Sequence, residues 1–179
     1  MIKMMRYIIV ILFLVSFSCK EVKPLKTIPL VDKKENNFFE TIDSVRLISF
    51  PSKMYWDKKE IMSEEDVDFE IPDDKIIDNL TLNKEQLEEI VEILKIDYKN
   101  ECMEAACYEP RHMLQFYKNA KIIAFYEICL ECGGWKNSKN LDFLPPFCVQ
   151  KGEELKQVFI KMKLKNSGEG SSILDKFEN

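Results

Sequence analysis

The amino-acid sequence predicts a small α+β domain: an antiparallel sheet that includes a central hairpin at about 108–131, with helices at about 83–95 and 152–163 on one face. Three observations lead there. "LNKEQLEEIVEIL" and "KGEELKQVFIKMK" carry apolar residues at helical spacing. "DSVRLISF" alternates as a strand does and stops at Pro51. Between the helices lie two runs of strand-forming residues, Tyr108 to Tyr117 and Ile122 to Leu130, joined by "KNAK". The order strand, helix, two strands, helix suits a small sheet covered on one side.

The first strand places Val45, Leu47 and Ser49 on one face and Arg46, Ile48 and Phe50 on the other. "SEEDVDFEIPDD" is acidic and aperiodic and reads as a solvated loop, since the glycine of a calcium-binding loop is missing. "DFEI" and "KII" are both candidates for a short edge strand. In the first helix Leu87, Ile90, Val91 and Leu94 form the apolar stripe. Asn83 and Gln86 are spaced for a capping box, with Leu82 placed as a staple against Leu87. The second helix repeats the pattern with Leu155, Val158, Phe159 and Met162.

The hairpin register decides which side chains meet, because a slip of one residue turns every side chain to the opposite face. A two-residue Asn119-Ala120 turn lays a polar side of one strand against an apolar side of the other. A three-residue loop, Lys118 to Ala120, avoids this and pairs Tyr117 with Lys121, Phe116 with Ile122, Leu114 with Ala124 and His112 with Tyr126. Phe116, Leu114, His112, Ile122, Ala124, Tyr126 and Ile128 then share a core face. On the other face Arg111 stands opposite Glu127 as a structural ion pair. Ala120 adopts a left-handed conformation, which costs about 1–2 kcal/mol. His112, the only histidine, reads as a packed core residue with one hydrogen bond; its alternative is a ligand or a base.

Five cysteines follow Cys19: Cys102, Cys107, Cys129, Cys132 and Cys148. "CLECGG" resembles a zinc knuckle, and Cys102 with Cys107 could supply the other two ligands. A four-residue gap is unusual for a knuckle, and an oxidising compartment favours disulfides over thiolates. A redox motif at Cys129 and Cys132 would have to open a helix, and "GGWKNSKN" follows instead. The expectation is a staple at the base of the hairpin from Cys107 to Cys129 or Cys132, with Cys102 or Cys148 left over. No metal, cofactor or catalytic group is assigned.

The N-terminus supplies the compartment. In "MIKMMRYIIVILFLVSFSCK", Lys3 and Arg6 precede an apolar run from Tyr7 to Phe17. A membrane span needs roughly 20 such residues, so this run suits a secretory signal. Ser18 before Cys19 resembles the cleavage box of bacterial lipoproteins, which makes Cys19 the lipidation site. Lys20-Glu21 resembles part of a surface-export signal of Bacteroidetes-type bacteria. The expected organisation is signal 1–18, lipidated tether 19–37, one globular domain 38–165 and a flexible tail 166–179. Without Lys3 and Arg6, 24 basic residues face 31 acidic ones, a net −7 that disfavours nucleic acid as a partner.

"CYEPRH…FY…K…EICLEC" also resembles a signature of small lipoproteins and secreted proteins of Bacteroidetes-type bacteria, over roughly 80–160 and with a similar preceding helix. Those proteins carry a longer turn ending in glycine where Ala120 stands. The resemblance implies location and fold, and it brings no activity with it. The expected function is a membrane-anchored envelope lipoprotein, on the outer membrane, whose domain binds a protein partner without catalysis. The rival is a thiol- or zinc-dependent envelope protein using Cys102, Cys107, Cys129 and Cys132.

Overall fold

In the computed structural model, the described residues are 38–53, 56, 71–103 and 108–168. The expected signal, lipidation site Cys19 and tether, together with Cys107, most of the acidic stretch and residues 169–179, lie outside them. The described residues form an α+β domain with one five-stranded antiparallel sheet. Its strands are β1 (Ser44–Ser49), β2 (Asp78–Thr81), β3 (His112–Lys118), β4 (Lys121–Ile128) and β5 (Trp135–Asn137), in the order β2-β1-β3-β4-β5. Helices α1 (Lys84–Leu94) and α2 (Val149–Lys161) pack together on one face.

Helix α1 begins as its sequence dictates. Asn83 Oδ1 accepts from the Gln86 amide at 2.9 Å, and Gln86 Oε1 accepts from the Asn83 amide at 3.0 Å. Leu82, Ile90, Ile93 and Leu94 of this region meet Leu155, Val158 and Phe159 of α2 over Val45, Leu47, Leu114, Phe116, Ala124, Tyr126 and Ile128 of the sheet. The alternation in β1 has its expected result, with Val45 and Leu47 in this core and Ile48 and Phe50 on the opposite face. That opposite face is also covered: Ile48, Phe50, Trp56, Ile71, Met113 and Phe125 form a second, smaller core. "KII" does not supply the edge strand, and "DFEI" lies, except for Ile71, outside the described residues. The edge strand is "DNLT", Asp78–Thr81, paired with β1.

The hairpin corrects the expected register. Lys118 stands opposite Lys121, so the loop is the two-residue Asn119-Ala120 turn, with φ of 50° and 60°. Two left-handed residues in succession match the right-handed twist of the flanking strands. The polar-on-apolar clash that argued against this turn is removed by a bulge. Tyr117 pairs with Ile122, but Phe116 pairs with Ala124, leaving Ile123 as the extra residue. Beyond the bulge each pairing is displaced by two places from the three-residue-loop register, so Leu114 opposes Tyr126 and His112 opposes Ile128. An even displacement preserves faces, and the core face is therefore as expected except that Ile123 packs into it where Ile122 was anticipated.

Residues 166 and 167, expected in the tail, are buried. Asp78 accepts from the amides of Lys165 and Asn166 at 3.0 Å each and from Ser49 Oγ at 2.5 Å. These bonds fasten the chain after α2 to the edge strand.

Helix α2 starts three residues before its expected start, and Gly152 in its first turn explains how closely it sits. A Cβ there would lie 2.1 Å from the Leu130 carbonyl oxygen. Glycine to alanine in a helix interior ordinarily stabilises by about 1 kcal/mol. Here Gly152→Ala is expected to destabilise by about 1–3 kcal/mol through overpacking, read as a lower urea midpoint. A midpoint at or above wild type would show that the close approach is dispensable.

Candidate functional site

The chemistry collects at the end of the sheet away from the hairpin turn. After β4 the chain makes a tight loop in which the Gly133 amide donates to Cys129 O at 3.1 Å and the Cys129 amide donates to Gly134 O at 2.9 Å. Gly133 takes a φ of +68°, and a Cβ on it would lie 2.6–2.8 Å from Val149 N, Cys148 C and Met103 O. Only glycine fits such an approach. The loop brings Cys129 and Cys132 within 5.5 Å Cα to Cα, and their sulfurs are bonded to each other. The expected staple to Cys107 is thereby corrected: in this form neither sulfur is available to another cysteine or to a metal. Both are buried. Among the described residues, no three His, Cys, Asp or Glu side chains gather as a metal site.

Beside this loop lies Glu127, almost fully buried on the second face. Its expected partner Arg111 does not reach it, because the displaced register puts Met113 opposite Glu127 on one side and Lys136 on the other. Glu127 is neutralised instead by Lys53, whose Nζ lies 2.6 Å from Oε1, while the Tyr108 hydroxyl donates to Oε2 at 2.7 Å. The same ammonium lies 5.6 Å and 5.8 Å from the ring centres of Phe50 and Trp56. Burial, reinforced by the Glu127 charge, raises the Tyr108 pKa, so the phenol stays protonated as the donor. Arg111 lies 3.4 Å from Glu109 and 3.8 Å from Glu131. The Tyr108 ring covers Gly134, and Lys136 Nζ lies 5.3 Å from its centre.

His112 is a core residue. Its Nε2 donates to Asn166 O at 2.5 Å, its ring packs 5.1 Å from that of Phe159, and Nδ1 is buried without a hydrogen bond. Register makes Ser49 the neighbour of both His112 and Asp78. These three residue types do not form a relay: Ser49 donates directly to Asp78, and His112 spends its N–H on a backbone carbonyl. Desolvation lowers the His112 pKa, outweighing the opposing bond to Asn166. Burial pushes the Asp78 carboxyl up, but the combined hydrogen bonds from Ser49, Lys165 and Asn166 hold it below its usual value.

One buried group escaped sequence reasoning. Lys151 is fully buried, and its Nζ donates to Leu94 O at 2.7 Å and Pro145 O at 3.1 Å. It closes the C-terminus of α1 from the first turn of α2. A lysine at the start of a helix opposes that helix's own dipole, and this misplacement was the available signal. Burial lowers its pKa to about 8, against the attraction of Cys148, Cys102 and Asp97.

Two expectations follow. Closing a four-residue loop removes less chain entropy than a staple to Cys107 would, so Cys129→Ser with Cys132→Ser should cost about 2 kcal/mol in urea unfolding. No loss would leave the loop held by its glycine contacts alone. For His112 the folded-state pKa lies below the ordinary 6.5. Its neutral burial is therefore unpenalised above pH 6.5, and stability falls as pH drops below 6.5 toward the depressed value. Urea midpoints from pH 7 to pH 4.5 should show this decline, and His112→Gln should flatten it.

Comparison with protein-family models, curated proteins and solved structures finds no match to this chain.

Proposed function

We propose that this chain is a lipid-anchored protein of a bacterial cell envelope, attached through Cys19, whose folded domain binds a protein partner at the end of the sheet farthest from the tether. The observation that carries this reading is the polarity of the domain. The first described residues enter at the hairpin-turn end: Phe38 and Phe39 pack on Phe116 and Phe143, the Asp43 amide donates to Tyr117 O, and Asp43 accepts from Asn119 N. The opposite end, about 20 Å away along β3, carries the disulfide loop.

That far end also carries Met103, 60% exposed, and Tyr108, 37% exposed, the exposed large hydrophobics among the described residues. Methionine, tyrosine and arginine are the residues enriched where protein surfaces meet. Tyr108 is held by Glu127 and Lys136, so its ring is already ordered before any partner arrives, which lowers the entropy cost of binding. The net negative charge of the mature chain speaks against nucleic acid as that partner.

A photo-crosslinking residue in place of Met103 should capture one discrete envelope protein, while the same residue in place of Lys121 at the tether end should not. Lys136→Glu should reduce the capture at least tenfold without changing the unfolding midpoint. Equal capture from both ends would remove the polarity argument. The anchor is tested separately: radiolabelled palmitate should enter the wild type and not Cys19→Ser.

A further inference from the structure

We propose that Cys102 and Cys148 are a second disulfide pair, formed after folding across the joint between the segment following α1 and the first turn of α2. The residues that follow each cysteine are bonded to each other, Val149 N donating to Met103 O at 2.9 Å. Cys102 Sγ reaches the carbonyl just before Cys148, donating to Phe147 O at 3.6 Å, with Pro146 O at 3.8 Å. Gln150 holds the same joint from the other side: it accepts from the Met103 amide at 3.3 Å and donates to Glu101 O at 2.5 Å. The two cysteines are thus carried by neighbouring backbones that are fixed before any sulfur bond exists.

Both cysteines also lie near the same three side chains. Tyr98, Tyr126 and Lys151 each interact electrostatically with Cys148 and with Cys102. The Tyr126 hydroxyl is buried in this region with no hydrogen-bond partner, and the Cys148 thiol is buried too. Cys102 is partly exposed. This difference in access sets the order of reaction. A disulfide oxidant, of the kind glutathione disulfide represents, is attacked by the Cys102 thiolate; its S–S bond breaks, one thiolate leaves, and a mixed disulfide forms on Cys102. The Cys148 thiolate then attacks Cys102 Sγ and expels the second thiol. Two protein thiols are oxidised, one oxidant disulfide is reduced to two thiols, and the electrons balance. The bond requires Cys102 Sγ to turn from the Phe147 carbonyl to Cys148 Sγ, and it leaves Cys107 as the unpaired member of the five.

The test uses the mature chain, reduced with a dithiol, transferred to glutathione disulfide at neutral pH, blocked with N-ethylmaleimide and digested with trypsin. The expected product joins peptide 100–111 to peptide 140–151, and peptide 122–136 runs two hydrogens light as the internal control for Cys129 and Cys132. Because 100–111 contains both Cys102 and Cys107, the joined product must persist in Cys107→Ser and vanish in Cys102→Ser and in Cys148→Ser. A bond inside 100–111, a bond from it to 122–136, or recovery of Cys102 and Cys148 as thiols beside an intact control would each overturn the pairing.

Discussion

The register of the β3–β4 hairpin is the constraint on which the rest of the molecule depends. β3 is the central strand, so its pairing fixes the position of β1 on one side and of β4 and β5 on the other. Two local features set it together: the left-handed Asn119-Ala120 turn and the bulge at Ile123. Either alone would expose the core residues of one strand. With both, Leu114, Phe116, Ala124, Tyr126 and Ile128 face the helices, and Gln115, Met113, Phe125 and Glu127 face the other way. The same register carries β4 to an endpoint where the chain can fold back on itself, and the Cys129–Cys132 loop is the result.

Polar groups, buried at Lys151 and His112 and half-buried at Asp78, then join what the sheet has placed. Each links segments far apart in sequence, and each bonds mainly to backbone. Lys151 closes α1 from α2, Asp78 receives two amides and a hydroxyl, and His112 donates to Asn166. A charge or imidazole taken out of water is costly unless paired, so these contacts tolerate few alternative geometries. They add specificity to a core that hydrophobic burial alone would hold less uniquely. Glu127 differs from them, because its partners Lys53 and Tyr108 are side chains that reach the surface. That difference is why the Glu127 face at the far end of the sheet, and not the His112 face, is the candidate for contact with another molecule.

Local patterns in the sequence were read well because they depend on local physics. The Asn83–Gln86 box, the stripe of α1, the two faces of β1 and the core position of His112 each follow from a few neighbouring residues. The hairpin register was missed because it is the joint result of turn and bulge, and neither has a strong signature here: Ala120 is an atypical left-handed residue. Arg111 was consequently assigned to Glu127, two places away from where the ladder puts it. The Cys129–Cys132 bond was legible in hindsight from Gly133 and Gly134, whose small size lets the loop double back. The covering of the second face by Trp56 and Ile71 could not be read, since those two residues lie in a stretch without periodicity.

The clasp formed by Asp78, His112 and Asn166 has a consequence for how the protein is made. Its members are brought together only when residues near position 166 can return to a strand that was synthesised much earlier. Until then Asp78 lacks its amide donors and His112 lacks its acceptor. These bonds therefore cannot form until almost the whole of the described domain has been synthesised. Residues 165 and 166 are thus the ones that complete the fastening of the edge strand.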